Sequence, residues 1–335
     1  MNFLILRLGA LGDIVHAVPA VAALRVAYPD ARIDWLVEAR HRAVVDLVTV
    51  VDRVVPLEGR SVAAWLASAR VMRQVRYDVA LDFQGLMKSA VLARLSGATR
   101  VIGFSIWHLR EKAARPFYSE TEVPPVDEGE SHVIQKNLRL LATVGVRDEA
   151  VRFPLGATES AALAIVQAEA AGPFALLNPG AAWPNKRWPA SRFGDVAAFL
   201  REVRGLPSFV LWGPGEESVA QEVVNGSSGA ARLAPPTGLA DLLALVRAAA
   251  LMVSGDTGPL HIATAAGTPT VALFGPTDPA RNGPWAAQDV SVSRYGACGC
   301  HYERRCRQAN WCLHGLSVPE VTAAIQHRLA GIRHG

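Results

Sequence analysis

The heptapeptide Gly255-Asp256-Thr257-Gly258-Pro259-Leu260-His261 packs a carboxylate, a hydroxyl, two glycines and an imidazole into seven residues. It stands between an apolar run, residues 251–254, and a stretch of mostly small residues, 262–267, so it reads as a strand, a polar turn and a helix start. A turn of that kind presents free backbone N–H groups and the positive end of a helix dipole, which together bind anions. His261 falls about one helical turn further on; taken by itself it would be a structural histidine. A second polar turn, Gly9-Ala10-Leu11-Gly12-Asp13, follows the first apolar run of the chain. Its glycines permit close approach of a ligand to the backbone. Asp13 either caps the helix that follows or, ionised at a helix N-terminus, takes a proton from a bound hydroxyl as a general base.

Three further loops carry polar groups. Residues 178–189 contain the basic pair Lys186-Arg187 between Trp183 and Trp188; a lysine there acts on phosphate as a point charge and an arginine as a fork. Residues 212–217 bring Glu216, whose carboxylate could accept from ribose hydroxyls or simply sit in an acidic first helical turn. Residues 275–279, Gly-Pro-Thr-Asp-Pro, close the next strand. The first turn lacks the third glycine of a dinucleotide fingerprint, although Glu38 could play the ribose-binding acid, so a nicotinamide oxidoreductase is a rival reading. Cys298, Cys300, Cys306 and Cys312 are the four cysteines; their C-x-C-x5-C-x5-C spacing is no standard zinc pattern, and free thiols are the alternative to a metal site.

The elements that must position these loops follow from hydrophobic periodicity. In a chain of 335 residues, half hydrophobic and 19% charged, two ordinary domains with their own cores are expected and disorder is not. Apolar runs at residues 2–6, 32–37, 53–57, 78–82 and 100–104 alternate with helical patterns near 14–28, 40–48, 61–73 and up to 95. Pro19 falls inside the first of these helices and implies a kink or a late start. The same alternation resumes after residue 173, with strands at 174–178, 208–212, 251–254 and 270–274 and helices at 191–203, 216–224, 239–249 and 259–267. This is the pattern of parallel sheets covered on both faces, and it makes the chain an α/β protein. Two Rossmann-like domains, 1–155 and 173–316, are expected to face each other across a cleft, joined by a linker at 156–172; a last helix within 317–335 is expected to pack back on the first domain.

No apolar run reaches the ~18 residues a membrane helix needs, and the N-terminus has no basic segment ahead of its apolar run, so a cytoplasmic protein is expected. The net charge of +4 is unevenly spread: residues 60–115 hold ten Lys or Arg against three acids, while residues 120–130 hold five acids and no base. An anionic partner for the first domain follows. Nucleic acid does not, since no binding motif or basic–aromatic interleaving is present.

The combination of residues 7–13 (RLGALGD), 82–90 (DFQGLMKSA), 185–189 (NKRWP), 255–261 (GDTGPLH) and 274–279 (FGPTDP) resembles glycosyltransferase family 9, the heptosyltransferases of lipopolysaccharide core assembly. The resemblance spans nearly the whole chain, and residues 84–90 with 110–114 are most similar to the branch that adds the first heptose to the Kdo of lipid A. It implies a GT-B fold, an inverting transfer from ADP-heptose, no cofactor and no divalent metal, and an acceptor met at the cytoplasmic face of the inner membrane. It assigns Asp13 as the base, Lys186 to the donor phosphate, Glu216 to ribose, and Asp256, Thr257, Gly258 and His261 to the donor pocket. Gly12, Arg60, Lys88 and Arg110 fall to the acceptor. Where such members carry hydroxyl residues this chain has Ala181 and Ala182, leaving the diphosphate contacts there to backbone N–H groups. The cysteine-bearing segment is more similar to other branches of the family, so a different acceptor or sugar stays open, as does a non-catalytic nucleotide or glycan binder.

Overall fold

A strand covered on both faces has to be apolar along its length, and β1 (Asn2–Leu6), with residues 3–6 at zero exposure, satisfies that condition. Each such Leu, Ile or Phe contributes about 1.5–3 kcal/mol by leaving water. The computed structural model describes residues 1–59, 61–123, 132–157 and 159–330. They form two units, Met1–Gly156 and Ala157–Gly335.

In the first unit, β1 is joined by β2 (Arg32–Glu38), β3 (Arg53–Leu57), β4 (Val79–Asp82), β5 (Arg100–Gly103) and β6 (Glu120–Thr121). All pairings are parallel, in the order β3-β2-β1-β4-β5-β6. The second unit holds β7 (Ala175–Asn178), β8 (Ser208–Val210), β9 (Ala231–Leu233), β10 (Leu251–Gly255), β11 (Thr270–Phe274) and β12 (Val290–Ser293), in the order β12-β11-β10-β7-β8-β9 and again parallel. The two halves therefore repeat one topology. In each, the strand order reverses beside the unit's first strand, between β1 and β4 and between β7 and β10, and ligands of such sheets bind outside the carboxyl ends of the strands at that reversal. Register places Leu6 against Asp82 and Asn178 against Ser254, so the polar turns singled out in the sequence leave the sheets at these two points.

Several elements differ from the sequence reading. The first helix is two, Leu11–Val15 and Val18–Ala27, because Pro19 lacks an N–H and fits only the opening turn of the second. Residues 132–144, which the sequence predicts to be one helix, are an α-helix over Val133–Leu140 that tightens to a 3-10 turn over Leu141–Val144. The strands β6, β9 and β12 were absent from the expected list. The helix Val318–Ala330 belongs to the second unit: Val321, Ala324 and Ile325 lie in one buried cluster with Leu200, Val271 and Leu273, which accounts for its apolar stripe where a return to the first domain was expected. The division at 156–157 falls at the start of the segment read as a linker, and the helix Ala161–Ala170 in that segment is part of the second unit. Among the described residues no helix is long and apolar enough to cross a membrane.

Candidate functional site

In the second unit the site is built around one carboxylate. Asp256 leaves the end of β10 only 5% exposed and accepts three hydrogen bonds: from Lys186 Nζ at 2.5 Å, from His261 Nε2 at 3.1 Å and from the Thr277 hydroxyl at 2.6 Å. Each donor arrives on a different segment, the loop after β7, the helix Gly258–Ala265 and the loop after β11, so the carboxylate ties three loops of one sheet edge together. Burial alone would push the Asp256 carboxyl up, but the His261 hydrogen bond and the Lys186 charge outweigh it and hold the group well below the usual carboxylate range. Lys186 Nζ also lies 4.6 Å from the centre of the Trp183 ring, a cation–π contact.

Beside this cluster Thr257 stands at the N-cap position of the helix Gly258–Ala265, its side chain turned away from the helix N–H groups, with Pro259 in the first turn. Asn178 Nδ2, at the end of β7, donates to both Ser254 Oγ and Thr257 Oγ1 at 2.9 Å, which fixes the cap to the neighbouring strand. The opening N–H groups of the helix have no partner within it, which makes this end an anion site in waiting. Gly255 is required because a Cβ there would stand 2.9 Å from the Lys186 carbonyl. Glu216 is half-buried; it accepts from Gly213 N at 3.2 Å, and its carboxylate fills the space where a side chain on Gly180 would stand. The two tryptophans of the loop after β7 part company: Trp188 is core, donating to Leu316 O at 2.9 Å, while Trp183 is a site residue.

In the first unit Asp13 sits in the short helix Leu11–Val15. Its carboxylate meets Arg7 Nη2 at 2.8 Å and accepts from Ala10 N at 3.2 Å, with 31% of the side chain exposed. Asp13 is not the helix cap expected from the sequence: Ala10 holds that position, and Asp13, three residues on, closes the first turn from inside the helix while part of its carboxylate faces solvent. Arg7 is buried and its guanidinium donates to Phe83 O, while Gln84 Oε1 accepts from Leu8 N at 2.9 Å. That loop is in turn fixed by Asp82, fully buried, which accepts from Gln84 N and Ser89 Oγ at 2.8 Å and from Tyr118 OH at 2.7 Å. Burial pushes the Asp82 carboxyl up in spite of these donors.

Of the residues expected on the acceptor side, Gly12 adjoins Asp13 in the same helix and Arg110 is exposed. Lys88 is engaged: its Nζ lies 2.7 Å from Glu38, which also holds Arg40. Burial pushes Glu38 up, but Lys88 and Arg40 hold it below its ordinary value. The acid expected to bind a dinucleotide ribose is thus already paired. Arg60 lies outside the described residues. The four thiols are free; Cys300 Sγ and Cys306 Sγ are 3.5 Å apart, and burial next to Cys298 pushes Cys312 up to about 12. Among the described residues no His, Cys, Asp or Glu group of three or more is disposed to hold a metal ion. Thr277, Asn178, Trp183 and Arg7 were not among the expected site residues, although Thr277 and Arg7 stand inside the quoted motifs, Asn178 ends β7 and Trp183 lies in the loop that follows it.

The chain is 29% identical over 321 residues to lipopolysaccharide heptosyltransferase 1 of Pseudomonas aeruginosa, covering 91% of this chain and 87% of that one. A solved structure of the E. coli heptosyltransferase WaaC with ADP-2-deoxy-2-fluoro heptose matches with a TM-score of 0.76 at 23% identity, over 97% of this chain and 99% of that one. A family 9 glycosyltransferase from Veillonella parvula matches with a TM-score of 0.80 at 21% identity, over 99% and 97%. These likenesses establish the expected fold, the two Rossmann-like units of GT-B glycosyltransferases. With the model of glycosyltransferase family 9 (heptosyltransferase) matching residues 65–312, most of the chain, the protein belongs to that family and is a glycosyltransferase.

Proposed function

We propose that the enzyme moves a heptose from ADP-L-glycero-D-manno-heptose to the Kdo region of lipid A, with inversion, during assembly of the lipopolysaccharide inner core. The observation that carries this reading is the Asp256 cluster with Lys186 beside the helix that begins at Gly258: a pre-set cation next to free N–H groups suits the diphosphate of a departing ADP. Heptosyltransferase 1 relatives and the WaaC structure with an ADP-heptose analogue support the choice of donor.

The roles divide between the units. Asp13 takes the proton as the acceptor O–H bond breaks; the oxygen forms a bond to the anomeric carbon, and the bond from that carbon to the diphosphate breaks on the opposite face. General-base help of this kind is worth about 10²–10⁴ in rate. Lys186 and the helix N-terminus stabilise the charge that grows on the leaving oxygen. The chain holds no D-x-D to clamp a metal on the diphosphate, and this reading needs none. The acceptor is met at the cytoplasmic face of the inner membrane, to which the enzyme binds peripherally; exposed Trp107 and Ile106, near Arg110, support this.

The test is mass spectrometry of the product formed from ADP-heptose and a panel of Kdo-bearing acceptors, with EDTA and with magnesium. One added heptose on a Kdo-lipid A acceptor, at equal rate in EDTA, is expected. Transfer to none of the panel overturns the acceptor, and activity lost in EDTA but restored by magnesium overturns the metal-free chemistry.

A further inference from the structure

The charge of Lys186 is largely spent. Its Nζ is 2.5 Å from a buried carboxylate and within reach of the Asp256 carbonyl at 3.4 Å, so the donor cluster as a whole offers less net positive charge than a diphosphate carries negative. A second cation shares its aromatic partner. The Arg304 guanidinium lies 5.8 Å from the centre of the same Trp183 ring that Lys186 contacts at 4.6 Å. Among the described residues no carboxylate lies within ion-pairing distance of Arg304, whereas Arg307 nearby is paired with Glu303 at 2.9 Å. Two cations drawn to one indole repel each other on whichever faces they lie, and a bound anion lowers that repulsion.

The backbone on either side of Arg304 is fixed to the donor loops. Tyr302 N donates to Pro276 O and Asn185 Nδ2 donates to Glu303 O, both at 2.9 Å, and the Tyr302 ring carries Arg281 at 5.5 Å. Trp311 Nε1 donates to Arg187 O at 2.8 Å. Gly275 admits the return of this segment, since a Cβ there would meet Leu313 at 2.9 Å and Cys312 Sγ at 3.1 Å. The cysteine-bearing segment is therefore built onto the loops that carry Lys186 and Thr277, and it delivers one arginine to the indole.

We propose that Arg304 is a binding residue for the donor diphosphate, its guanidinium held by Trp183 beside Lys186. This rests on the donor reading of the site given above. A planar fork that stacks on an aromatic ring and grips phosphate oxygens is a task for arginine, which lysine does not replace.

The test is calorimetric titration of adenosine, AMP and ADP into the full chain and into Arg304→Gln, Arg304→Lys and Arg305→Gln. Arg305, the next residue, is exposed, and Arg305→Gln removes the same charge one position along the chain. Arg304→Gln is expected to weaken ADP by about tenfold or more, the loss of one charge-assisted hydrogen bond, and adenosine little. It should also flatten the salt dependence of ADP binding. Arg304→Lys should recover only part of the loss and Arg305→Gln should match the wild type. Equal ADP affinity in Arg304→Gln and wild type overturns the proposal, as does an equal loss for all three ligands, which a purely structural role would produce. Wild-type protein that binds no ADP would instead overturn the donor reading itself.

Discussion

At the residue scale the two key carboxylates are set up in opposite ways. Asp13 is partly exposed and held by one cation, Arg7 at 2.8 Å, so it remains open to a substrate hydroxyl. Asp13→Asn keeps the shape and removes the proton acceptor. Turnover is expected to fall by about 10²–10⁴ with ADP affinity unchanged, measured by single-turnover transfer and calorimetry; a variant at wild-type rate would leave Asp13 with only its part in closing the helix turn. Asp256 is buried and fully engaged, so its part is to hold Lys186, His261 and Thr277 in place. Asp256→Asn leaves the Lys186 ammonium without its counter-charge and is expected to cost about 3 kcal/mol in urea unfolding. The folded Asp256 carboxyl lies below its unfolded value of about 3.9, so its contribution is complete above that range and is lost as pH falls below it. The variant should lose that part of the acid sensitivity; an unchanged slope between pH 5 and pH 2, taken as roughly the range over which such carboxylates titrate, would refute the coupling.

At the element scale, two glycines make contrasting predictions about what the loops and helices need. Gly194 lies in the helix Ala190–Arg204, where a Cβ would stand 2.8 Å from the Gly226 backbone of the helix Glu217–Gly226. Neither helix can yield locally, and Gly194→Ala is expected to destabilise by about 1–3 kcal/mol. At Gly180 the same change meets only the end of the Glu216 side chain. Gly180 is buried, but the only obstacle is the end of a flexible side chain that can swing away, so Gly180→Ala should leave the melting temperature within a few degrees and weaken ADP by displacing Glu216. A melting temperature that falls as far as for Gly194→Ala would show that the Glu216 placement is structural. The elements themselves were legible to different degrees, for physical reasons. Both-face burial writes β1, β4, β7, β10 and β11 as continuous apolar runs, and the polar turns stood out because they follow such runs. The edge strands β6, β9 and β12 have two to four residues and are half-covered, so they carry no comparable run. Arg304 was illegible for a related reason: an irregular segment has no period, and its arginines differ only in what the fold brings near them.

At the scale of the whole molecule, the division at 156–157 separates the chemistry into parts that can be tested apart. Lys186, Glu216, Asp256, Thr257, His261 and Thr277 all lie in the second unit, which has a complete six-stranded sheet and its own buried cluster, Ala175 to Ile325. A domain of this size with its own core can fold alone. Residues 157–335 expressed by themselves are therefore expected to unfold cooperatively in denaturant and to bind ADP within about threefold of the full chain, a difference below 1 kcal/mol. They lack Asp13 and should transfer no sugar to any acceptor. Calorimetry on the fragment and mass spectrometry of its reaction mixtures check both statements. A fragment that folds cooperatively yet binds ADP a hundredfold more weakly, about 2.7 kcal/mol, would mean that the first unit supplies part of the nucleotide site, and the division of roles proposed for the two units would fall with it.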